Sequence, residues 1–501
     1  MPYIPASANG MCPADTIPKR NYAYAWGLAQ WGKDIWIGTV ANVAGLAAGA
    51  AAIAGSSLPG GLGGTTGDCQ YIGPPDNPIN VSEGSLSQYP GVPEPLRPFL
   101  GDWRPPQVWL YNRDTKIQTN VTPADPLING TLGLRAAGAA DDVVILAGPR
   151  RLQVGVNLFA FDALTKKYLG STTLWQYSSI RKFVVARGEL YTGVQMPDGR
   201  GQVLRWTGNK EQPFQFQVVG YLDNDAANLA EHEGRLYVAT WRPDASLSGV
   251  AGTPFGDRPQ AGIWMSPPIP DSGLRTIDAL RWKKVWEISD YEPDEVVALG
   301  QGGVGDLASF DGYLYWGHMA RPWGAYAEFV KVYGEPENPD EVQRNVHRAI
   351  PIFRGRNFDN TPDIELLYGE KQLPKFNGAT WSLADNNLGG ATPLFGPAGF
   401  GVPTNAYTWT MAVFRGKLYV GTLDTAGILD DDSGSTPGAD VWVFADKHSA
   451  ATSVTADGFG HPQSVYGVRT MASSADTLFV GTAGAANLSP DGGWKLIGIT
   501  P

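Results

Sequence analysis

Residues 416–422 read GKLYVGT, and this phrase decides the fold because close variants of it recur along the chain. Each copy has a Gly or Asp turn, an apolar run, and then Gly-Thr or a similar pair of small residues. A small apolar run such as TMAV at 410–413 precedes several copies, which predicts a strand, a tight turn and a second strand. The seven copies are KDIWIGT at 33–39, DVVILAG at 142–148, GELYTG at 188–193, GRLYVAT at 234–240, GYLYWG at 312–317, GKLYVGT at 416–422 and DTLFVGT at 476–482.

This recurring hairpin predicts an all-β fold, a single seven-bladed β-propeller that occupies residues 1–501. The small residues at 147, 193 and 239 stand 46 residues apart, which is the length of one four-stranded blade. Third strands are predicted at 107–111, 157–161, 349–353 and 440–444. Longer gaps predict blades that carry insertions.

The insertions all follow the second strand of a unit. In a propeller, loops at that place emerge on one face of the disc, so we expect a shared partner surface there. The stretch 40–105, rich in Ala, Gly and Pro, falls within the first blade, and 318–348 falls within the fifth. The four longest insertions are 40–105, 242–260, 318–348 and 423–440.

The last unit lacks a fourth strand of its own. It has strands near Arg469, Leu478 and residues 494–497, and the sequence ends at 501. We therefore expect residues 2–6 to pair with this unit, so that N- and C-terminal strands share one blade and no sheet edge stays exposed.

Composition agrees with a folded, turn-rich protein. There are 63 Gly and 39 Pro, while charged residues make up only 17% and hydrophobic residues 43%. These values exclude a disordered or collagen-like chain. The net charge of −11 offers no basic footprint, so nucleic acid is not expected as a partner.

The cellular location of the protein is predicted from the stretch 40–64 and from the N-terminus. The stretch 40–64 is mostly Ala and Gly, too weakly apolar to span a membrane. Residues 1–7 lack the basic and apolar regions of a signal peptide, and we expect an extracellular or periplasmic protein whose signal segment was trimmed.

Two cysteines, Cys12 and Cys69, are the only ones in the chain. Two cysteines exclude zinc ribbons, redox CxxC motifs and haem attachment. A disulfide between them is expected if the compartment is oxidising, and two free buried thiols are the alternative.

The end of the chain resembles a known family. Residues 457–462 (DGFGHP), 466–472 (YGVRTMA) and 478–482 (LFVGT) are similar to the Gly-Phe-Gly-Asn-Pro, Tyr-Gly-x-Arg-Thr-Met and Leu-Phe-x-Gly-Thr phrases of uncharacterised secreted bacterial β-propeller repeat proteins. The preceding repeat echoes the first phrase as GFGVP at 399–403, and His461 stands where that family has Asn. The resemblance implies a propeller and export, and it implies no activity.

Motifs for catalysis and metals are weak. Residues 27–33 (GLAQWGK) match part of a phosphate loop, but Asp34 stands where Ser or Thr must bind magnesium. The five histidines have no ligand spacing, and no Gly-x-Ser-x-Gly elbow occurs. Residues 489–494 (SPDGGW) resemble the Asp-box of sialidase-like propellers, with a plain Asp-Gly hairpin turn as the alternative. A calcium site is possible at Asp430, Asp431 and Asp432, with a solvated acidic loop as the alternative.

A candidate ligand site comes from the repeat itself. Counting seven residues back from each turn reaches the start of the innermost strand, at the channel mouth. Arg forks suit carboxylate or sulfate groups and Trp faces suit sugar rings or cations. The alternative is that these side chains lean between blades, with Arg bonding loop carbonyls and Trp filling gaps. Ala227 and Gly305 occupy two of the seven positions, and the candidate binding residues are Trp26, Arg135, Arg181, Trp409 and Arg469.

Three functions fit these features, because a propeller fold does not decide its activity. The first is a non-enzymatic extracellular binding or scaffold subunit, whose insertions contact protein subunits or further copies of the chain. The second is a glycan-binding or sialidase-like hydrolytic propeller, which would need converging Arg residues, an acid and a Tyr nucleophile. The third is a redox propeller with quinone or copper, which the lack of paired His and Cys disfavours. No cofactor is expected apart from the possible calcium.

Overall fold

The described strands group into antiparallel units, each headed by one of the recurring hairpins. The computed structural model describes residues 2–3, 17–18, 22–41, 43, 105–151, 153–242, 259–426, 436–462, 464–484 and 493–500. We number the units 1 to 7 in chain order. Their first strands are Tyr22–Trp31, Ala136–Ala140, Ser179–Ala186, Asp225–His232, Gly303–Phe310, Asn405–Phe414 and Val465–Ser473. Their second strands are Asp34–Ala41, Val143–Pro149, Glu189–Gln195, Arg235–Trp241, Tyr313–Met319, Lys417–Asp424 and Leu478–Gly484.

Each unit continues as a meander. The third strands are Val108–Asn112, Val156–Asp162, Gly201–Trp206, Gly262–Met265, Ile352–Arg356, Val441–Phe444 and Leu496–Ile499. The fourth strands, described in units 1 to 6, are Gln118–Asn120, Tyr168–Leu174, Phe216–Leu222, Lys283–Glu287, Asp363–Tyr368 and Thr452–Thr455. The strand predicted at 349–353 begins three residues later than expected, at Ile352. Pro351 has no N–H for the ladder, and the N–H of Ile350 instead donates to the carbonyl of Asn405 at 3.0 Å.

The first strands contact one another in sequence. Each first strand touches that of the next unit, and that of unit 7 touches that of unit 1. At this last junction Tyr24 pairs with Ala483, and the N–H of Trp494 donates to the carbonyl of Tyr22. The chain is therefore all-β with the architecture of a β-propeller.

Tight turns explain why the phrase begins with Gly or Asp. In five hairpins both central residues have positive φ, as in a type I′ turn, whose twist matches that of the flanking strands. Arg415 has φ 48° and Gly416 has φ 70°, for example. The central pairs are 141–142, 187–188, 233–234, 311–312 and 415–416.

The small residue and the Thr at the end of the phrase have separate packing functions. A Cβ on Gly421 would lie 2.4 Å from Val468 Cγ1 in the next unit, so glycine allows adjacent units to approach closely. Thr422 forms hydrogen bonds with the backbone of Asp440, the residue at which the chain returns from the insertion 423–440. Its N–H donates to the carbonyl of Asp440 at 3.0 Å, and its hydroxyl accepts the N–H of the same residue at 3.1 Å. Thr39 and Gln107 repeat this exchange after the first insertion.

Helices and a hairpin are added to units 2, 4 and 5. The helices are Pro126–Asn129, Glu295–Gly300, Pro322–Tyr333 and Pro339–Val346, with 3-10 turns at Thr276–Asp278, Ile288–Asp290 and Ala398–Gly401. The two longest lie inside the predicted insertion 318–348. The added hairpin is Gln372–Phe376 with Trp381–Asp385. None of the helices within these ranges is both long and apolar enough to cross a membrane.

The N-terminal strand pairs differently from the prediction. Pro2–Tyr3 pairs with Ile17–Pro18, not with unit 7, whose described strands number three. A local pairing closes a much shorter loop than one between opposite ends of the chain. Contact between units 1 and 7 is made instead by the strands of their central hairpins.

Candidate functional site at the channel mouth

The predicted channel-mouth residues occupy β-bulges. In unit 1 the register shifts between Ala25 and Gly27, so Trp26 is the extra residue. A bulge changes the direction of a side chain locally and is frequent next to binding sites. Arg135 is the exception, because it lies one residue before its strand. The same kind of register shift includes the predicted positions of five further units, Arg181, Ala227, Gly305, Trp409 and Arg469.

Between units 6 and 7, a Trp and an Arg stack in a place that only glycine leaves open. A Cβ on Gly467 would lie 2.2 Å from Cζ3 of Trp409, so the indole needs glycine there. The guanidinium of Arg469, two residues after that glycine, lies 5.4 Å from the centroid of the Trp409 ring. In the Tyr-Gly-x-Arg phrase, the glycine thus leaves room for the Trp of the preceding unit, and the arginine supplies the cation that stacks on it.

Units 1 and 2 repeat this arrangement. A Cβ on Gly133 would lie 2.5 Å from Cζ3 of Trp26. Arg135 again follows two residues later, and its guanidinium lies 4.8 Å from the Trp26 centroid. Its Nη1 donates to Ser179 Oγ of unit 3 at 2.9 Å. Two equivalent Trp–Arg pairs therefore lie at two junctions of the ring.

Arg181 of unit 3 stacks on a Trp that the repeat count did not identify. Its guanidinium lies 3.7 Å from the centroid of Trp241, at the end of the second strand of unit 4. Its Nε donates to Asp225 Oδ2 at 2.6 Å. Trp241 itself donates from Nε1 to the carbonyl of Val304 at 2.7 Å. Trp241 and Asp225, the two partners of Arg181, both lie in unit 4. The spacing of the phrase does not predict this contact between units 3 and 4.

Burial and mutual repulsion act on all three arginines, which we call the arginine cluster (Arg135, Arg181 and Arg469). Burial lowers the pKa of Arg135 well below its usual value, and the charges of Arg181 and Arg469 lower it further. Burial lowers the pKa of Arg469 to about 10, with Arg181 as the next cause. Burial also lowers the pKa of Arg181, whose bond to Asp225 opposes this effect.

Positive charge exceeds negative charge around this cluster. Asp225 is paired with Arg181, and Asp306 receives both of its ion-pair contacts from Lys182, at 2.7 and 2.8 Å. Arg135, Arg181, Arg469 and Lys182 carry two more positive charges than Asp225 and Asp306 carry negative ones. The charge of Arg321 also acts on Arg181. Nε of Arg135 and Nη1 of Arg181 are buried without a hydrogen-bond partner. Among the described residues, Arg469 has no ion-pair partner.

A phenol pair lies beside the cluster. Tyr466 Oη donates to Tyr24 Oη at 2.6 Å across the junction of units 7 and 1. Burial raises the pKa of Tyr24 to about 12, although Tyr466, Arg469 and Arg135 all act to lower it. Tyr24 therefore remains protonated at neutral pH.

This geometry bears on the two predicted roles of the Trp residues. Trp26 and Trp409 are 6% and 8% exposed, and each has an Arg over its ring, so their faces do not offer a platform for a sugar ring. Both indoles pack between units, and a role of Trp26 or Trp409 in binding stays a prediction. Within the described residues, the side-chain hydrogen bonds of Arg135 and Arg181 go to Ser179 and Asp225 and not to loop carbonyls. Their N–H edges suit a small oxyanion.

Glycine and alanine at two predicted positions are packing residues. A Cβ on Gly305 would lie 2.4 Å from the carbonyl oxygen of Thr408 in unit 6, so glycine is required there. Ala227 is fully buried in the apolar cluster that also contains Trp26 and Trp409.

The weaker site predictions are tested only in part. Cys12, Cys69, Asp430, Asp431 and Asp432 lie outside the described residues, as do 489–492 of the Asp-box-like stretch. Within the described part of the chain, no group of three or more His, Cys, Asp or Glu side chains is placed to hold a metal ion.

Asp440, beside the predicted calcium loop, is buried. Burial raises its pKa to about 6 although Asn405 and Trp442 donate to it.

A second buried ion pair belongs to the framework. Arg348 donates from Nε and Nη2 to both oxygens of Glu292, at 2.7 and 3.0 Å, beside a cavity of about 260 Å³. The same guanidinium also donates to the carbonyls of Asn345, His347 and Pro374. Because its donors are used by the protein, this cavity offers a ligand little from Arg348.

No family model and no curated protein matches the chain. Among solved structures, an ancestral GH74 enzyme is 9% identical, with 99% of this chain and 51% of that chain covered and a TM-score of 0.42. The β-propeller domain of the Trilobed protease from Pyrococcus furiosus is 6% identical, with 96% and 95% covered and a TM-score of 0.39. The tricorn protease is 11% identical, with 78% and 31% covered and a TM-score of 0.36.

These likenesses include a glycoside hydrolase and proteases, and they carry no argument about what this chain does. The chain spans about a third to a half of the length of the first three solved structures that it matches. The β-propeller architecture rests on the strand pairing and the ring of contacts described above.

Proposed function

We propose that the chain is a seven-bladed β-propeller that acts as a non-enzymatic binding subunit and holds an anionic group of its ligand at the arginine cluster. The observation that carries this proposal is the buried excess of two positive charges. A buried charge without a partner costs several kcal/mol, so an anion that enters the cluster replaces a cost with charge-assisted hydrogen bonds.

The insertion of unit 5 supports a partner surface at the same place. Trp323, at the start of helix Pro322–Tyr333, packs against the apolar cluster that contains Trp26 and Trp409. Arg242, at the end of unit 4's hairpin, donates to Glu328 Oε1 of the same helix at 2.9 Å. A partner bound to this helix therefore lies beside the arginine cluster. A secreted or surface-bound assembly is part of the proposal, on the resemblance of residues 457–482 to secreted repeat proteins.

A sialidase-like hydrolase is the second candidate, because three arginines converge and two of them, Arg135 and Arg469, lie near Tyr24. Hydrolysis further requires a carboxylic acid and an activated nucleophile. Asp225 and Asp306 are both held in ion pairs, and Tyr24 bonds to Tyr466 instead of a carboxylate base. A phenol with a pKa near 12 is a poor nucleophile at neutral pH. These contacts favour binding over hydrolysis.

A thermal-shift experiment tests the proposal. Sodium acetate and sodium phosphate, compared with sodium chloride at equal ionic strength, are expected to raise the Tm of the wild-type protein and to leave that of Arg469→Gln unchanged. The exposed Arg200→Gln is the matched control and should respond as wild type does. Equal responses of all three proteins to each anion would show that no anion binds at the cluster.

A further inference from the structure

We infer that the group bound by the arginine cluster is a carboxylate at the end of a slender chain, either a short free carboxylic acid or the C terminus of a polypeptide. The inference rests on the proposed anion binding and adds the chemistry of the group. It follows from the directions in which the guanidinium groups remain available and from how little of them solvent reaches.

The faces of the three guanidinium groups are already used. Each lies over an indole ring, at 4.8 Å for Arg135, 3.7 Å for Arg181 and 5.4 Å for Arg469. Only N–H groups in the guanidinium planes remain for a ligand. In-plane donors match the two coplanar oxygens of a carboxylate, which an Arg binds in a bidentate way.

Solvent reaches little of the three arginine side chains, which favours a narrow group. Arg135 and Arg469 are 8% and 9% exposed, and the side chain of Arg181 is 9% exposed. Trp26 and Trp409 lie against two of these guanidinium groups, and each occupies space that only a glycine leaves open. We therefore do not expect either indole to move aside for a pyranose ring. A terminal carboxylate on a single-bonded chain needs no such movement.

The charges also fit a monoanion better than a highly charged group. Two positive charges lack a described counterion. A carboxylate neutralises one of them, and the negative end of a neighbouring dipole stabilises the other. Tyr24 adds such a dipole, since its hydroxyl accepts from Tyr466 and keeps its own proton.

Calorimetric titration tests the inference with five probes: acetate, N-acetylglycine, its neutral amide, glucuronate and phosphate. We expect acetate and N-acetylglycine to bind, and the amide and glucuronate not to bind. Arg469→Gln should weaken binding about 10- to 100-fold, as expected for losing one charge-assisted contact, and Arg200→Gln should leave it unchanged. Tighter binding of N-acetylglycine than of acetate identifies a polypeptide C terminus as the source, and the reverse order identifies a free acid.

Four outcomes would overturn the inference. Glucuronate binding as tightly as acetate would show that the opening admits a ring. Equal binding of the amide would show that the charge is not recognised. Binding of phosphate with no binding of any carboxylate would leave the proposed anion site in place and reject this chemistry, whereas binding of no anion would reject both.

Discussion

Lys182 and Asp306 form an ion pair between units 3 and 5, which are not neighbours in the ring. Lys182 Nζ lies 2.7 and 2.8 Å from the two carboxylate oxygens. Both residues are at bulges of their first strands, next to the predicted positions Arg181 and Gly305. Asp306 also accepts the N–H of Met411 in unit 6 at 2.9 Å. One carboxylate therefore joins three first strands beside the arginine cluster.

We predict that removing Asp306 destabilises the protein more than removing Lys182 does. Asp306→Ala should lower the free energy of unfolding by about 3 to 5 kcal/mol, because it leaves buried N–H groups and a cation without their acceptor. Lys182→Met should cost only about 1 to 2 kcal/mol, since Asp306 keeps its two N–H donors. Urea denaturation measures both, with the exposed Lys33→Met as a control that changes stability by less than about 0.5 kcal/mol. Equal costs at the two ends would contradict the assignment.

The glycines that pack against Trp409 and Trp26 predict a loss of stability when either is replaced by alanine. Gly467→Ala places a Cβ 2.2 Å from Trp409, and Gly133→Ala places one 2.5 Å from Trp26. Each should cost about 1 to 3 kcal/mol through overpacking and should shift the tryptophan emission. In Gly130→Ala the nearest atom is 3.6 Å away, so this variant should match wild type. Wild-type emission and stability in the Gly467→Ala and Gly133→Ala variants would show that the indoles do not depend on these glycines.

A buried histidine predicts a dependence on pH. His318 bonds through Nδ1 to Gln301 at 2.8 Å, and burial lowers its pKa to about 3. Between pH 6.5 and 3 the unfolded chain binds a proton here and the folded chain does not, so this residue makes stability fall as the pH falls. Its contribution approaches 1.4 kcal/mol per pH unit.

Denaturation of His318→Gln from pH 7 to 4 measures this contribution. The variant should lose stability less steeply on acidification than wild type, whatever its stability at pH 7. The exposed His448→Gln is the matched control and should keep the wild-type slope. A slope in His318→Gln that equals that of wild type would show that this histidine does not titrate on unfolding.

Much of the fold follows from the repeated phrase, because its turn and its glycine each meet a local requirement. The central pair 415–416 predicts a hairpin wherever its equivalent occurs, and Gly421 predicts close packing of adjacent units. For the candidate site, counting selected Trp409 and Arg469, which lie at register shifts of their strands, but it did not select Trp241 or Asp225. These two belong to a neighbouring unit, and the sequence does not show which unit supplies a partner to Arg181.

Arg181 is paired with Asp225, so we predict that its removal destabilises the protein, unlike the removal of an arginine that has no ion-pair partner. Arg181→Gln should lower the free energy of unfolding by about 3 kcal/mol, because Asp225 is fully buried and loses its partner. Adding Asp225→Asn should restore part of that loss, since the uncompensated carboxylate is removed. Chemical denaturation of the single and double variants measures the coupling. Strictly additive losses would mean that the two residues do not stabilise each other.

The free energy of unfolding of Arg469→Gln, measured without added ligand at neutral pH, tests most directly the claim that the cluster holds uncompensated positive charge. Arg469 has no described ion-pair partner. Burial and then the charge of Arg181 lower its pKa to about 10, and Tyr24 and Asp306 oppose this effect less strongly. Removing its charge relieves burial and repulsion, while the stacking on Trp409 is lost at a cost of about 1 kcal/mol. We predict a stability equal to that of wild type or about 1 kcal/mol higher, together with the loss of anion binding. A loss of more than about 2 kcal/mol, with anion binding retained, would contradict the account and make Arg469 a structural residue.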